Sequence, residues 1–168
     1  MWLDLPKLWI VILNAVAIPA IHLGFSWWFT RIDRDCFDPD SWLYRVRSWE
    51  EGGKAYQTLF HIRRWKHLLP DAATWFDGFA KGELKKMDPP HLRTFVVETC
   101  RGEAAHWVQI PGLLLTLIWN PWPTAAAVMI VYAFASNFPC LLLQRFTRAR
   151  LVRFLEESGG KERRSTGR

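Results

Sequence analysis

Residues 8–30, LWIVILNAVAIPAIHLGFSWWFT, hold no charged side chain, and this run constrains the chain more than any other feature. As a helix it would rise about 34 Å, enough to cross bilayer hydrocarbon. A signal peptide is the rival reading, because Lys7 precedes the run. The run is too long for one, no A-x-A site follows, and the Trp27–Trp28 pair suits a retained interfacial anchor. Pro19 is expected to kink the helix, and Asn14 and His22 are its polar exceptions.

Two further apolar runs follow, at 104–119 and 122–143, joined only by Asn120-Pro121-Trp122-Pro123. A turn that short dictates an antiparallel helical hairpin. The first arm is short for a crossing, but the segment after Pro89-Pro90, HLRTFVVETCRGEAAHW, has helical character and extends it upstream. The expectation is therefore an all-α integral membrane protein, a single membrane domain over 1–157. Its three transmembrane helices are placed at about 8–30, 100–119 and 122–143, with a cytoplasmic, interfacial segment at 31–99 and a disordered basic tail at 158–168. Within the middle segment, Ala55–Leu69 reads as one amphipathic interfacial helix.

Lys and Arg set the orientation. Lys7 alone precedes the first run, thirteen basic residues lie between Arg31 and Arg101, the hairpin tip has none, and eight follow from Arg145. By the positive-inside rule the N-terminus is outside and the C-terminus cytoplasmic, in the cell membrane. The net charge of +6 could also serve nucleic acid, but uncharged runs of this length decide for a membrane, as do eleven tryptophans. Cys36, Cys100 and Cys140 form no metal-type spacing and read as free thiols on the cytoplasmic side.

The densest polar cluster is Glu98-Thr-Cys-Arg-Gly-Glu-Ala-Ala-His-Trp107, where the second span meets the membrane. Glu98 and Arg101, and likewise Glu103 and His106, are three residues apart and can touch on a helix. Ionisable groups at that depth are costly unless paired or wetted, which makes them functional candidates against the plainer reading of snorkelling ion pairs. A Glu–His pair can do general-base work. One His with two Glu is a poor zinc set. At the end of the third run, Asn137 needs a partner on a facing helix, and Arg145 and Arg148 lie one turn apart at the boundary, placed for phosphate or for anchoring. His61 reads as a helix-surface residue. The chain has no D-x-x-D-G-x-x-A-R motif, no G-x-S-x-G elbow, no P-loop and no H-x-x-x-x-D signature.

In order along the chain stand Phe37-Asp-Pro-Asp-Ser-Trp42, Arg47-Ser-Trp-Glu50, Tyr56 to Pro70 around Arg64-Trp65-Lys66, Gly78-Phe-Ala-Lys81, and Glu98 to Trp107. Trp119-Asn120, Asn137-Phe-Pro-Cys and Gln144-Arg-Phe-Thr-Arg148 complete the series. Together with the early apolar helix, it resembles the glycosyl-4,4'-diaponeurosporenoate acyltransferases, small membrane enzymes of carotenoid biosynthesis. The resemblance implies transfer of a fatty acyl group from a thioester, acyl-CoA or acyl carrier protein, to a sugar hydroxyl of a membrane glycolipid, with no other cofactor. His106 is then the expected base, oriented by Glu103, with Glu98 and Arg101 as a supporting ion pair. Arg145 and Arg148 would bind donor phosphates, and Asn137, Gln144, Trp65 and Lys66 complete the substrate-binding set. Asn120, at the other end of the hairpin, is expected to be structural. The alternative is a non-catalytic membrane protein that binds anionic lipid or a partner through its basic face. Nothing in the sequence bears on oligomeric state.

Overall fold

The computed structural model describes residues 5–69 and 88–166, with side chains through 159, and every regular element among them is helical. The helices are α1 (Lys7–Arg31), α2 (Lys54–Phe60), α3 (Ile62–Trp65), α4 (Pro89–Leu114) and α5 (Pro123–Thr166). Short 3-10 turns connect them at Arg34–Cys36, Ser48–Gly53, Lys66–Leu68 and Leu115–Trp119. The Gly78 to Lys81 motif lies outside the described residues.

α1 runs unbroken through Pro19 and buries only Ile10 and Phe29. Of its most apolar stretch, 6% is buried inside the molecule, so Leu8, Val11, Val16 and Trp27 face outward. An apolar helix so little covered suits hydrocarbon rather than water. α1 and α5 are the two helices among the described residues long and apolar enough to cross a membrane. α4 does not meet that test, so two of the three expected spans are supported, and the second, 100–119, falls on a helix packed between its neighbours. Its cap-facing part carries Arg93, Glu98, Arg101 and Glu103, while Gln109, Ile110, Gly112 and Leu113 are buried between its neighbours. A helix covered on both sides does not need a continuous apolar surface.

Capping starts α4: the Asp88 carboxylate accepts the His91 backbone N–H at 3.4 Å, and Pro89 and Pro90 occupy the first turn, where no N–H is needed. The chain turns at 120–122, and Pro123 opens α5 as the expected hairpin return. Contacts fix an antiparallel register. Leu92, Phe95 and Val96 pack with Leu151, Arg148 reaches Cys100, Arg145 reaches Glu103, and Asn137 reaches His106. α1 runs antiparallel to α4 as well, with Phe29 beside Ala105, His22 on Gln109, and Asn14 on Asn120. Gly112 permits the close crossing, since a Cβ there would stand 2.7 Å from the Phe25 ring.

This register sorts the tryptophans into two levels. Trp9, Trp119 and Trp122 share one end, and Trp27, Trp28 and Trp107 the other. Trp9 and Trp27 are separated by about 27 Å of helix, close to the thickness of bilayer hydrocarbon. Near the first level, Asn14 and Asn120 exchange amide hydrogen bonds at 3.0 Å, and Trp119 Nε1 donates to Asn14 Oδ1 at 2.8 Å. Asn120 is thus structural, as expected.

Residues 34–69 form a cap over the second level. The expected single helix over Ala55–Leu69 breaks at exposed His61, which adopts φ 50°. Gln57 holds the break: its carbonyl accepts the His61 N–H and its side-chain oxygen accepts the Arg63 N–H, both at 3.0 Å. The turn lets Tyr56 and Ile62 converge on Phe146, while Phe60 lies edge-on to Phe138. α5 continues to Thr166, through the segment whose composition predicts a disordered tail.

Gly53 joins cap to hairpin at φ 89°, where a Cβ would come within 2.8 Å of Arg150 Cγ and 3.2 Å of the Phe146 carbonyl oxygen. Gly53→Ala is expected to destabilise the protein by about 1–3 kcal/mol in detergent denaturation. Gly24→Ala, with nothing within 4 Å, should not destabilise it.

Candidate active site

Where cap, α4 and α5 meet, seven charged side chains form a lattice of two ion-pair groups, four around Glu103 and three around Glu98. Glu103, 2% exposed, gives one carboxylate oxygen to Arg145 Nε at 3.0 Å and the other to Arg148 Nη2. Trp107 Nε1 donates to the first oxygen at 3.4 Å. Arg145 reaches on into the cap, donating to Glu50 Oε1 and the Arg45 carbonyl at 3.3 Å each and to the Leu43 carbonyl at 2.6 Å. Arg148, fully buried, also donates to Cys100 Sγ at 3.4 Å, and its guanidinium lies 5.7 Å over the Tyr44 ring. Toward α1, buried Glu98 pairs with Arg101 at 2.6 Å and with Arg34 at 2.8 Å.

The expected partners of Glu103 and of the two arginines are corrected accordingly. Glu103 spends its carboxylate on α5, and the Nδ1 bond that orients His106 comes from Asn137 Oδ1 at 2.9 Å. The Arg145 donors are taken by the cap and Glu103, and Arg148 has no exposed surface, so neither is placed for a donor phosphate. Their reward in pairing is large, because a buried charge left alone costs several kcal/mol.

The Asn137 amide can be oriented from its bonds. Nδ2 donates to the Ala133 carbonyl at 3.0 Å and to Ser136 Oγ at 3.2 Å, so Oδ1 faces His106. An amide oxygen only accepts, so neutral His106 carries its proton on Nδ1 and is basic at Nε2. This is the requirement for a general base with its ring held in place. His106 is half-buried, beside exposed Trp107 at the second tryptophan level.

Other expected residues fall apart from this centre. Trp65 is half-buried against the Tyr56–Ile62–Phe146 cluster and donates to the Phe60 carbonyl at 2.8 Å, a brace for the α2–α3 turn. Lys66 is exposed beside exposed Arg63 and Arg64, and Gln144 is half-buried on α5. The three cysteines are free, with Cys36 exposed and Cys100 buried. Two open cavities flank the cap. One of about 540 Å³ includes Arg47, Glu51 and Arg153, and one of about 470 Å³ includes Arg34, Asp38 and Arg93.

Glu50 and Arg34 were not legible as site residues. An acidic residue in a polar segment signals nothing by itself, and Glu50 becomes buried only through partners far away in sequence. Tyr44 and Tyr56 sit beside the lattice. Burial raises both phenol pKa values above 10.0, assisted at Tyr44 by Cys100 and Glu103 and at Tyr56 by Glu50.

Two long apolar helices, with an amide-held imidazole beside buried ion pairs, describe an all-helical protein of membrane type with a polar site where its helices meet the cap. The chain belongs to the glycosyl-4,4'-diaponeurosporenoate acyltransferase family, whose model matches residues 39–157, and is an acyltransferase. Curated relatives of that name from Staphylococcus aureus strains USA300, NCTC 8325 and Newman are 28% identical over 128 residues. The similarity covers 75% of this chain and 76% of theirs. No solved structure matches the chain. The family match spans most of the cap, α4 and most of α5, and α1 lies outside it.

Glu103→Gln is expected to cost about 3–5 kcal/mol in chemical denaturation, since it leaves the buried Arg148 and the half-buried Arg145 guanidiniums facing a neutral amide. Alkali should loosen the cap. Because the folded state binds the Tyr44 and Tyr56 protons more tightly, this stability is complete below pH 10 and declines above it. Thermal midpoints across that range should fall, and Tyr56→Phe should flatten the decline.

Proposed function

We propose that the chain transfers a fatty acyl group from a thioester donor, acyl-CoA or acyl carrier protein, to a sugar hydroxyl of a glycosylated carotenoid or terpenoid lipid in the cell membrane. The observation that carries the reading is His106, fixed by Asn137 with its basic nitrogen at Nε2 and set at the level of Trp27, Trp28 and Trp107. A glycolipid acceptor holds its apolar part in hydrocarbon and its hydroxyls at that level. The relatives are glycosyl-4,4'-diaponeurosporenoate acyltransferases, which supports a glycosylated acceptor of that class.

In the reaction, the sugar oxygen attacks the thioester carbonyl as His106 Nε2 takes the hydroxyl proton. The new C–O bond forms, the C–S bond breaks, and the proton passes from the imidazolium to the departing thiolate. Glu103, Glu98 and Arg101 act at one remove, holding α4, α5 and the cap in register around the base. The exposed residues Arg63, Arg64 and Lys66 replace Arg145 and Arg148 as candidates for the anionic donor carrier, and Gln144 lies on the donor side of Asn137. Charge distribution supports the same side for the donor: the N-terminus outside, the cap and the C-terminus cytoplasmic.

His106→Ala should fold normally by circular dichroism and lose about 10²–10⁴ in kcat with a thioester donor and a glycosyl polyene ester. Unchanged product would refute the assignment. Asn137→Ala should lower kcat about tenfold, with less effect on KM, because the ring loses its orienting acceptor.

A further inference from the structure

One part of the cap reaches down the side of α5. Gly53, at the head of α2, lies against Phe146 and Arg150. Phe60, at its foot, lies edge-on to Phe138, with ring centroids 6.2 Å apart. From Phe146 back to Phe138 is about 12 Å of α5, and from Gly53 to Phe60 about 11 Å of α2, so the two helices run side by side in opposite directions. Phe138 follows Asn137, the partner of His106 on α4, and so stands at the level of Trp27, Trp28 and Trp107. α2 therefore descends from the water side to the second tryptophan level, where bilayer hydrocarbon meets headgroups.

At that level the chain turns back. The break at His61 sends Ile62, fully buried, into the cluster with Tyr56 and Phe146. It leaves Leu59 68% exposed, and Phe60 exposed beside the exposed ring of Phe138. Arg63 and Arg64 are exposed just past the turn, and neither forms an ion pair among the described residues. A helix continued straight through His61 would carry them about 5 Å further toward hydrocarbon, where an unpaired guanidinium is costly. The turn holds them at the height of the headgroups instead.

Leu59 and Phe60 thus extend the outward-facing apolar surface of α5, and two unpaired cations edge them. That is the pattern of a segment lying in an anionic headgroup layer, with apolar side chains down and guanidiniums at the phosphates. A water-soluble partner would have to compete with lipid for Phe138, on the span itself. We infer that the α2–α3 tip is a docking surface for anionic phospholipid of the leaflet on the cap side. Leu59 and Phe60 enter the top of the acyl-chain layer, and Arg63 and Arg64 pair with headgroup phosphates. Because Tyr56 and Ile62 join the tip to Phe146, lipid held there also holds the cap against α5. The inference goes beyond the acyl-transfer reading and rests only on α5 as a span. It reserves Arg63 and Arg64 for headgroups and leaves Lys66 to the donor carrier.

The test uses the full chain, one copy per nanodisc, in phosphatidylcholine alone or with phosphatidylglycerol added. Amide exchange over residues 54–66 is followed by mass spectrometry, without donor or acceptor, so the result does not depend on turnover. Phosphatidylglycerol should slow that exchange about tenfold, since each arginine near an anionic surface contributes about fivefold. High salt should reverse the effect. Arg63→Gln with Arg64→Gln should abolish the response and leave exchange in α4 and the apolar part of α5 as in wild type, whereas Arg63→Lys with Arg64→Lys should keep it. Leu59→Asp should speed exchange of the tip in both kinds of disc. Equal exchange of the wild type in the two discs would overturn the inference, and so would a phosphatidylglycerol response that survives the double glutamine substitution. Protection by a thioester donor in phosphatidylcholine discs, lost in that double variant, would assign the pair to the donor carrier and overturn it as well.

Discussion

A carboxylate buried between two guanidiniums determines how the rest of this chain must pack. Glu103 cannot be left alone in an apolar interior, where its isolated charge would cost several kcal/mol, so α5 must present Arg145 and Arg148 to it at one register. That register carries further obligations. Arg145 has donors left over, and the Leu43 and Arg45 carbonyls with Glu50 supply the acceptors, which ties the cap to the hairpin. The same register brings Asn137 to His106 two turns away. Ion pairing thereby helps to position an imidazole whose Nδ1 is held by an amide rather than by a charge.

Polar groups are graded along the helices by what their burial costs. Full charges gather at the cap end, at Arg34, Glu50, Glu98, Arg101, Glu103, Arg145 and Arg148. Further in are only neutral amides, imidazoles and hydroxyls: Gln109, His22, Tyr132, and at the far level Asn14 and Asn120. An amide satisfied by hydrogen bonds is tolerable at a depth where an ion is not. The amides are also directional. Gln109 and Asn137 each have their nitrogen occupied by backbone and hydroxyl acceptors, which forces the oxygen toward a histidine and fixes its tautomer. Proton placement in this site follows from that geometry, without any charged neighbour of the ring being required.

The hairpin, the first helix and the structural role of Asn120 were legible because apolar length, an Asn-Pro-Trp-Pro turn and a polar exception in an apolar run are local signals. The Glu98 to His106 cluster was legible as a dense polar segment whose charges need partners for the same reason. Its internal pairings were not. Spacing of three residues put Glu103 within reach of His106, but two arginines of another helix compete better for a carboxylate than a neutral imidazole does. Burial of Glu50, and the occupation of Arg145 and Arg148 that denies them to phosphate, depend on contacts across 95, 42 and 45 positions, which no pattern within a segment reveals. The break at His61 depends on one side chain, Gln57, bonding ahead to Arg63. An amphipathic pattern continues through such a break without a mark. α4 carries charges along its cap-facing part and is covered by its neighbours, so its apolar residues alone do not single it out as a span.

The antiparallel pairing of α4 with α5 has a bearing on how the chain is made. Synthesis delivers α1 first, and it can enter a bilayer at once, being apolar and uncharged between Leu8 and Thr30. α4 emerges next with Glu98 and Glu103 on it, and its Glu103 counter-charges are still unmade. They arrive more than forty residues later, near the end of the chain. Glu103 meets its counter-charges only once Arg145 and Arg148 have been made, so the pairing of α4 with α5, and with it the placing of His106 beside Asn137, comes late in synthesis.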